Sequence, residues 1–246
     1  MKTVILTSYL DFYEKDDQGN KIAHNFGNDN NILTSLKANI KKYDNLVFVG
    51  NGIEGEKGEA YFNLARQSFD LTLPFKHYAY LNHNTMDKSK ELIKNADLIF
   101  LCGGHLPTQN KFFNEIGLRE VLKNTNALIV GGSAGSMNCA DVVYCPPELE
   151  EEVLNDNFKR FLPGLALTDI NIMPHFDMFQ KMEICGKRYI EDVVVPDSYK
   201  TDIIGLNNGS YILVKDNQTT IYGESYLIQN GKIIQIAEND KTATIE

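Results

Sequence analysis

The 246-residue sequence predicts an α/β fold of three layers, a mainly parallel sheet between helices with an antiparallel β-meander at its C-terminal end. Three observations predict it. Strand-like and helix-like segments alternate roughly every 20 to 30 residues through the first half of the chain. The runs 98–102 (LIFLC) and 127–130 (ALIV) are continuously apolar, as strands buried on both faces are. From residue 210 onward, short strand patterns follow one another without helices between them.

The elements come in order. Residues 3–9 form a short β-branched and apolar run, the first strand. Residues 31–42 carry Ile32, Leu33, Leu36 and Ile40 on one helical stripe. Residues 46–49 (LVFV) are a buried strand closed by Gly50-Asn51-Gly52. A helix over 59–69 presents Tyr61, Phe62, Leu64, Ala65 and Phe69. Residues 77–81 are a strand, 86–95 a helix, and 98–102 a strand that runs into Gly103-Gly104. A helix over 111–124 precedes the strand 127–130, which runs into Gly131-Gly132-Ser133. A short helix over 136–141 follows. Ligands of such sheets bind beyond the C-terminal strand ends, where both glycine pairs lie. The C-terminal strands are 210–214, 219–222, 225–229 and 232–236. Asn230-Gly231 marks a type I′ hairpin.

Composition narrows the class. Hydrophobic residues make up 43% and charged residues 23%, values of a globular chain, read here as one domain over 1–246. The net charge of −9 argues against a nucleic-acid partner, since phosphate contacts need clustered Lys and Arg. It also means that an anionic substrate would need a local basic pocket. Cys102, Cys139, Cys145 and Cys185 form no CxxC pair, and no His, Asp or Glu cluster has metal-ligand spacing. The N-terminus lacks a signal-peptide pattern, and no apolar stretch reaches the roughly 18 residues of a membrane span. The expectation is a cytoplasmic protein with free thiols, no membrane partner, no metal and no cofactor, as a monomer or homodimer.

One constellation carries chemistry. Gly131-Gly-Ser-Ala-Gly135 satisfies G-x-S-x-G between a buried strand and a helix, the setting of a nucleophile elbow. Small neighbours let the backbone turn sharply and leave the Ser133 hydroxyl exposed. The Ala134 amide then faces the place where an oxyanion would form. The bland alternative is a glycine-rich turn with a capping serine. A nucleophilic serine needs a base. Of the five histidines only His175 follows Ser133, at the end of the short apolar run before Phe176. An acid is sought between them, among Asp141, Glu148, Glu150, Glu151, Glu152, Asp156 and Asp169, and spacing does not choose. Gly103 or Gly104 could supply a second oxyanion amide. His105 could contact substrate or cap the following helix.

Three blocks together resemble the peptidase E / cyanophycinase family of serine peptidases: Leu101-Cys-Gly-Gly-His-Leu-Pro-Thr-Gln-Asn110, Gly131-Gly-Ser-Ala-Gly-Ser136, and Pro163-Gly-Leu165 leading to Met173-Pro-His-Phe-Asp177. The resemblance implies a flavodoxin-like sandwich, similar to the class I glutamine amidotransferase domain with Ser in place of Cys. It implies Ser133 as nucleophile and His175 as base, beside which the turn geometry gives Ala134 and Gly104 as the expected oxyanion donors. The family's dipeptidase branch places its acid about fifteen residues after the nucleophile, which falls on Glu148; the cyanophycinase branch has Glu at longer spacing, which keeps Glu150 and Glu151 open. A preference for N-terminal aspartate would need a cation, for which Arg188 beside Lys187 is the carry-over. Gln109 or Thr108 would line the pocket. The implied activity is hydrolysis of a small peptide, and a Ser-dependent isopeptidase or esterase, or a non-catalytic binding module, is the alternative.

Overall fold

The structure, a computed structural model, describes residues 2–52 and 56–245. Five parallel strands form its centre: β1 (Val4–Thr7), β2 (Asn45–Val49), β3 (His77–Leu81), β4 (Leu98–Leu101) and β5 (Leu128–Gly132). They lie in the order β1-β5-β4-β2-β3. Val4 sits opposite Ile129, Leu98 opposite Leu128, and Leu46 opposite Leu98.

Alternation along these strands makes the three layers. Ile5, Leu46, Phe48, Phe100 and Val130 face one way and pack against Leu36 of α1 (Ile32–Asn39) and Ala65 and Phe69 of α2 (Glu56–Thr72). Val4, Leu6, Val47, Val49, Ile99 and Ile129 face the other way. They meet Ile93 of α3 (Ser89–Asn95), Phe112 of α4 (Leu106–Glu115) and Leu122 of α5 (Leu118–Leu122). The helix expected over 111–124 is two helices. It begins earlier because Pro107 sits in the first turn, where its missing N–H costs no bond. It breaks at Gly117, whose φ of +60° is left-handed.

The C-terminal strands are β6 (Asn171–Met173), β7 (Ile203–Leu206), β8 (Tyr211–Lys215), β9 (Gln218–Tyr222), β10 (Ser225–Gln229), β11 (Lys232–Ala237) and β12 (Thr242–Ile245). β6 and β7 pair in parallel, while β8–β9 and β10–β11 are antiparallel hairpins, as expected, but the two hairpins belong to different sheets. β8, β9 and β12 extend the central sheet from β1, giving β12-β9-β8-β1-β5-β4-β2-β3. β10 and β11 join β6 and β7 in a second sheet, β6-β7-β10-β11. Asn230 and Gly231 take φ of +50° and +77°, the positive pair that a type I′ turn demands. Asp216 and Asn217 do the same between β8 and β9.

Among the described residues no helix is long and apolar enough to cross a membrane. The four cysteines are free; Cys102, Cys139 and Cys145 are buried and Cys185 is exposed.

The end of β5 turns directly into α6 (Ala134–Met137), a single turn seated against β4. Gly135 makes that seating possible. A Cβ there would lie 2.1 Å from the Leu101 carbonyl oxygen and 2.7 Å from that of Cys102. Backbone cannot yield as a side-chain tip can. Gly135→Ala is therefore expected to cost about 2–4 kcal/mol of folding free energy, read as a lowered urea midpoint. An unchanged midpoint would contradict this packing.

Candidate active site

Ser133 links β5 to α6 with φ 52° and ψ −118°, a conformation that a residue with a Cβ adopts at a cost of roughly 1–3 kcal/mol. Its surroundings enforce it. The Ser133 amide donates to the Thr7 carbonyl at the end of β1 (3.1 Å). The Ser133 carbonyl accepts from the amides of Ser136 (2.9 Å) and Met137 (3.1 Å). Ser136 Oγ donates to the same Thr7 carbonyl (2.9 Å), and Thr7 Oγ1 donates to the Gly131 carbonyl (2.7 Å). β1 thus clamps both sides of the turn, and the turn lifts the serine hydroxyl off the sheet edge.

His175 reaches that hydroxyl: its Nε2 lies 3.0 Å from Ser133 Oγ. It follows β6 and opens α8 (Phe176–Phe179) in a left-handed conformation, φ 53° and ψ 34°. Its own amide donates to Ser8 Oγ (2.8 Å), and Ser8 Oγ donates to the Leu206 carbonyl (3.0 Å). Tyr9 flanks the imidazole, ring centres 5.8 Å apart. The far nitrogen, Nδ1, lies 2.7 Å from Asn208 Oδ1. An amide oxygen only accepts, so Nδ1 carries the proton and the Nε2 lone pair faces the serine. That is the tautomer a general base needs. Burial lowers the His175 pKa below its ordinary value, partly opposed by the Asn208 hydrogen bond and the Asp177 charge. The imidazole is therefore neutral at pH 7. Asn208 belongs to the turn between β7 and β8, and its amide donates to Asp177 Oδ1 (3.1 Å).

Glu148 does not take the place against the imidazole that the sequence suggested; Asn208 holds it. The search for an acid between Ser133 and His175 in the chain excluded residue 208, which reaches the site from the strand pair beyond it. Glu148 lies instead near His105 and Glu152. Glu150 and Glu151, the alternatives, are in the first turn of α7 (Glu150–Val153), while the His175 ring nitrogens meet Asn208 and Ser133. Glu152 is the engaged carboxylate of that helix. Its Oε1 lies 2.8 Å from His105 Nε2, and its Oε2 accepts from the amides of Glu148 (2.8 Å) and Leu149 (3.1 Å).

The loop 103–105 runs beside Ser133. A Cβ on Gly103 would come within 3.3 Å of Ser133 Cβ, so of the two glycines this one lies closer to the serine. Gly104, with φ +146°, is one step further, against Asn51, whose Nδ2 donates to the Gly103 carbonyl (3.0 Å). Ala134 is the first residue of α6, so its amide has no intrahelical acceptor. His105 is the N-cap residue of α4, but its side chain caps no amide; its Nδ1 meets Thr108 Oγ1 (2.8 Å), and its ring bridges α4 to Glu152.

Two expected substrate contacts fall elsewhere. Gln109 is fully buried, its Nε2 donating to the Cys102 carbonyl and its Oε1 accepting from Asn138 Nδ2 (3.0 Å). It supports the loop from below and faces no substrate. Arg188 is exposed on the two-residue strand Lys187–Arg188, with its guanidinium 2.9 Å from Asp192. The i, i+4 carboxylate that follows it explains why it does not turn to the site. A cavity of about 240 Å³ adjoins Asn208 and is lined by Tyr9, Asp11 and Asp29 with no lysine or arginine. Cys102 and Cys139 are buried thiols whose pKa burial pushes far up, so neither replaces Ser133 as nucleophile. Among the described residues no His, Cys, Asp and Glu group could hold a metal ion.

Burial pushes the Glu148 pKa up to about 7, with the neighbouring Glu152 adding to the rise and His105 opposing it. In the unfolded chain the group ionises near 4.5. The folded state therefore resists its ionisation, and this side chain lowers stability as pH rises from about 4.5 to about 7. Relative to wild type, Glu148→Gln is expected to gain about 1–2 kcal/mol between pH 5 and pH 8. Urea unfolding at the two pH values checks it, and equal pH dependence would contradict it.

Comparison with known proteins places this geometry in a family. The sequence matches the model of peptidase family S51 over residues 19–222. No curated protein matches the chain by sequence. The fold is similar to the crystal structure of a peptidase from an acI-B1 Actinobacterium, at 15% identity and a TM-score of 0.70, covering 100% of this chain and 97% of that one. It is also similar to a Listeria monocytogenes EGD-e protein assigned by name to peptidase E, at 13% identity and a TM-score of 0.59, covering 89% of this chain and 96% of that one. The three sequence blocks, the mainly parallel sheet and the match over most of the chain agree: this chain belongs to peptidase family S51 and is a serine-type peptidase.

Proposed function

We propose that the chain hydrolyses small peptides through an acyl-enzyme, with Ser133 as nucleophile, His175 as general base and Asn208 as the group that orients the imidazole. The observation that carries this reading is the 3.0 Å contact of His175 Nε2 with Ser133 Oγ on a strained turn. Ser133 Oγ attacks the scissile carbonyl carbon while Nε2 takes its proton. The carbonyl oxygen gains the negative charge and receives the amides of Ala134 and of Gly103 or Gly104. His175 then gives the proton to the leaving amine, and the C–N bond breaks. A water, deprotonated by Nε2, releases the acid and restores Ser133. A neutral Asn in the orienting position has a counterpart in the Cys-His-Asn arrangement of papain-like proteases. No step calls for a metal or cofactor.

The substrate is less narrowly set. A preference for N-terminal aspartate would need a cation, but Arg188 is held by Asp192. We read the enzyme as a peptidase for short peptides without an acidic requirement. The same site could serve isopeptide or ester bonds, and a non-catalytic binder would not need His175 in the tautomer described. We further read residues 1–246 as one domain, because β8, β9 and β12 complete the sheet that β1 begins. The free thiols fit a cytoplasmic protein, monomer or homodimer.

A dipeptide panel (Asp-X, Ala-X, Lys-X and β-Asp-Arg) tests the reading. Ser133→Ala is expected to lose roughly 10³-fold or more in kcat/KM, and Asn208→Ala roughly 10–100-fold through misorientation of His175. Glu148→Gln should stay within a few-fold of wild type. If Glu148→Gln abolishes turnover while Asn208→Ala does not, the orienting assignment is wrong. If no peptide is cleaved, the peptidase specificity proposed here fails.

A further inference from the structure

Among the described residues no acid bonds directly to the pair that would perform the chemistry, and this bears on how a charged His175 is stabilised. When the imidazole accepts the serine proton it becomes a cation in a half-buried site. A neutral amide at Nδ1 stabilises that cation less than a carboxylate would. The groups facing His175 are few. Ser133 and Asn208 touch its ring nitrogens, Ser8 holds its amide, and the Tyr9 and Phe179 rings flank it. The Tyr9 hydroxyl donates to Asp11 (3.1 Å), and Asp11 is itself paired with His24 (3.2 Å). Asp177 stands two residues after His175 in the first turn of α8, with Oδ1 on the Asn208 amide.

We propose that Asp177 is a positioning residue of this site: its carboxylate fixes the Asn208 turn by accepting the Asn208 N–H, and supplies from there the negative charge that stabilises protonated His175. The proposal rests on the catalytic reading of Ser133 and His175 given above. The function usually met by one acid is divided here. Asn208 Oδ1 sets the direction and tautomer of the ring. Asp177 supplies charge without touching the ring, and ties itself to the orienting residue through that residue's own backbone. Charge at such a remove stabilises a cation while leaving the imidazole neutral at rest. Asp177 is the charged group that raises the His175 pKa against burial. Asp11 is a poorer candidate for this role, because His24 and the Tyr9 hydroxyl already engage it.

The test uses isosteric charge removal. In Asp177→Asn an amide oxygen can still accept from the Asn208 N–H, so a purely structural role would be preserved. The expected result is a fall of the His175 pKa by about half a unit to one unit, read by NMR titration of its imidazole protons. The acid limb of the kcat/KM–pH profile should move down by the same amount, with a roughly tenfold lower plateau. Adding Asn208→Asp to Asp177→Asn returns a carboxylate to the site and should bring the titration back to or above the wild-type value. Superimposable titrations of wild type and Asp177→Asn would overturn the proposal, as would failure of the double variant to recover. The titration needs no substrate. If wild type cleaves no peptide, the peptidase reading fails, while the imidazole titration still decides the role of Asp177.

Discussion

A serine in the middle of this chain is held with φ 52° and ψ −118°, and the site is arranged around that backbone. The turn between β5 and α6 would relax if its surroundings allowed it. They do not, because Thr7 engages the Ser133 amide and the Ser136 hydroxyl from one side while Leu101 and Cys102 press on Gly135 from the other. The glycines of G-x-S-x-G are explained by this crowding. A Cβ on Gly131 would lie 2.5 Å from Ser136 Cα, and one on Gly132 would meet the Phe100 ring at 2.9 Å. The conformational cost at Ser133 is offset by the packing of a helical layer on each face of the central sheet, which buries β1, β4 and β5. A more loosely packed elbow would let the hydroxyl fall back toward the sheet.

The second half of the chain brings His175 to Ser133. β6 and β7 pair in parallel in the smaller sheet, so the residues just beyond them, His175 and Asn208, emerge side by side. Ser8, beyond the end of β1 in the larger sheet, ties the two together by bonding His175 and the Leu206 carbonyl. The site therefore lies where the two sheets meet, and each sheet contributes part of it. The loop 103–105 is braced separately: Gln109 supports it from the interior, and His105 connects it to Glu152.

Much of this was legible in the sequence, and the gaps have physical causes. Buried parallel strands announce themselves by continuous apolar runs, so β2, β4 and β5 are found nearly at their true bounds. The elbow is legible because its geometry demands small residues on both sides of one serine. His175 is legible because no other histidine follows that serine. The boundary of α4 is less so, since proline reads as a breaker although the first turn tolerates it. Residues 142–200 hold short ribbons and single-turn helices, too brief for periodicity to register. Asn208 carries no charge and sits in an Asn-Asn-Gly turn, a pattern that speaks only of turn formation. Two observations together could have found it: an apolar strand at 203–206, and a turn following it beside the strand that ends before His175. Gln109 and Arg188 show the converse. Both have the right chemistry for substrate, yet one is buried under the loop and the other is neutralised by Asp192.

The central claim is that Ser133 is activated by the imidazole at its side. Intact-mass analysis after exposure to a fluorophosphonate, followed by peptide mapping, tests it most directly. The account predicts one adduct per chain, located on the peptide that contains Ser133, absent from Ser133→Ala and formed more slowly in His175→Ala. An unlabelled wild type, or an adduct that persists in Ser133→Ala, would contradict it.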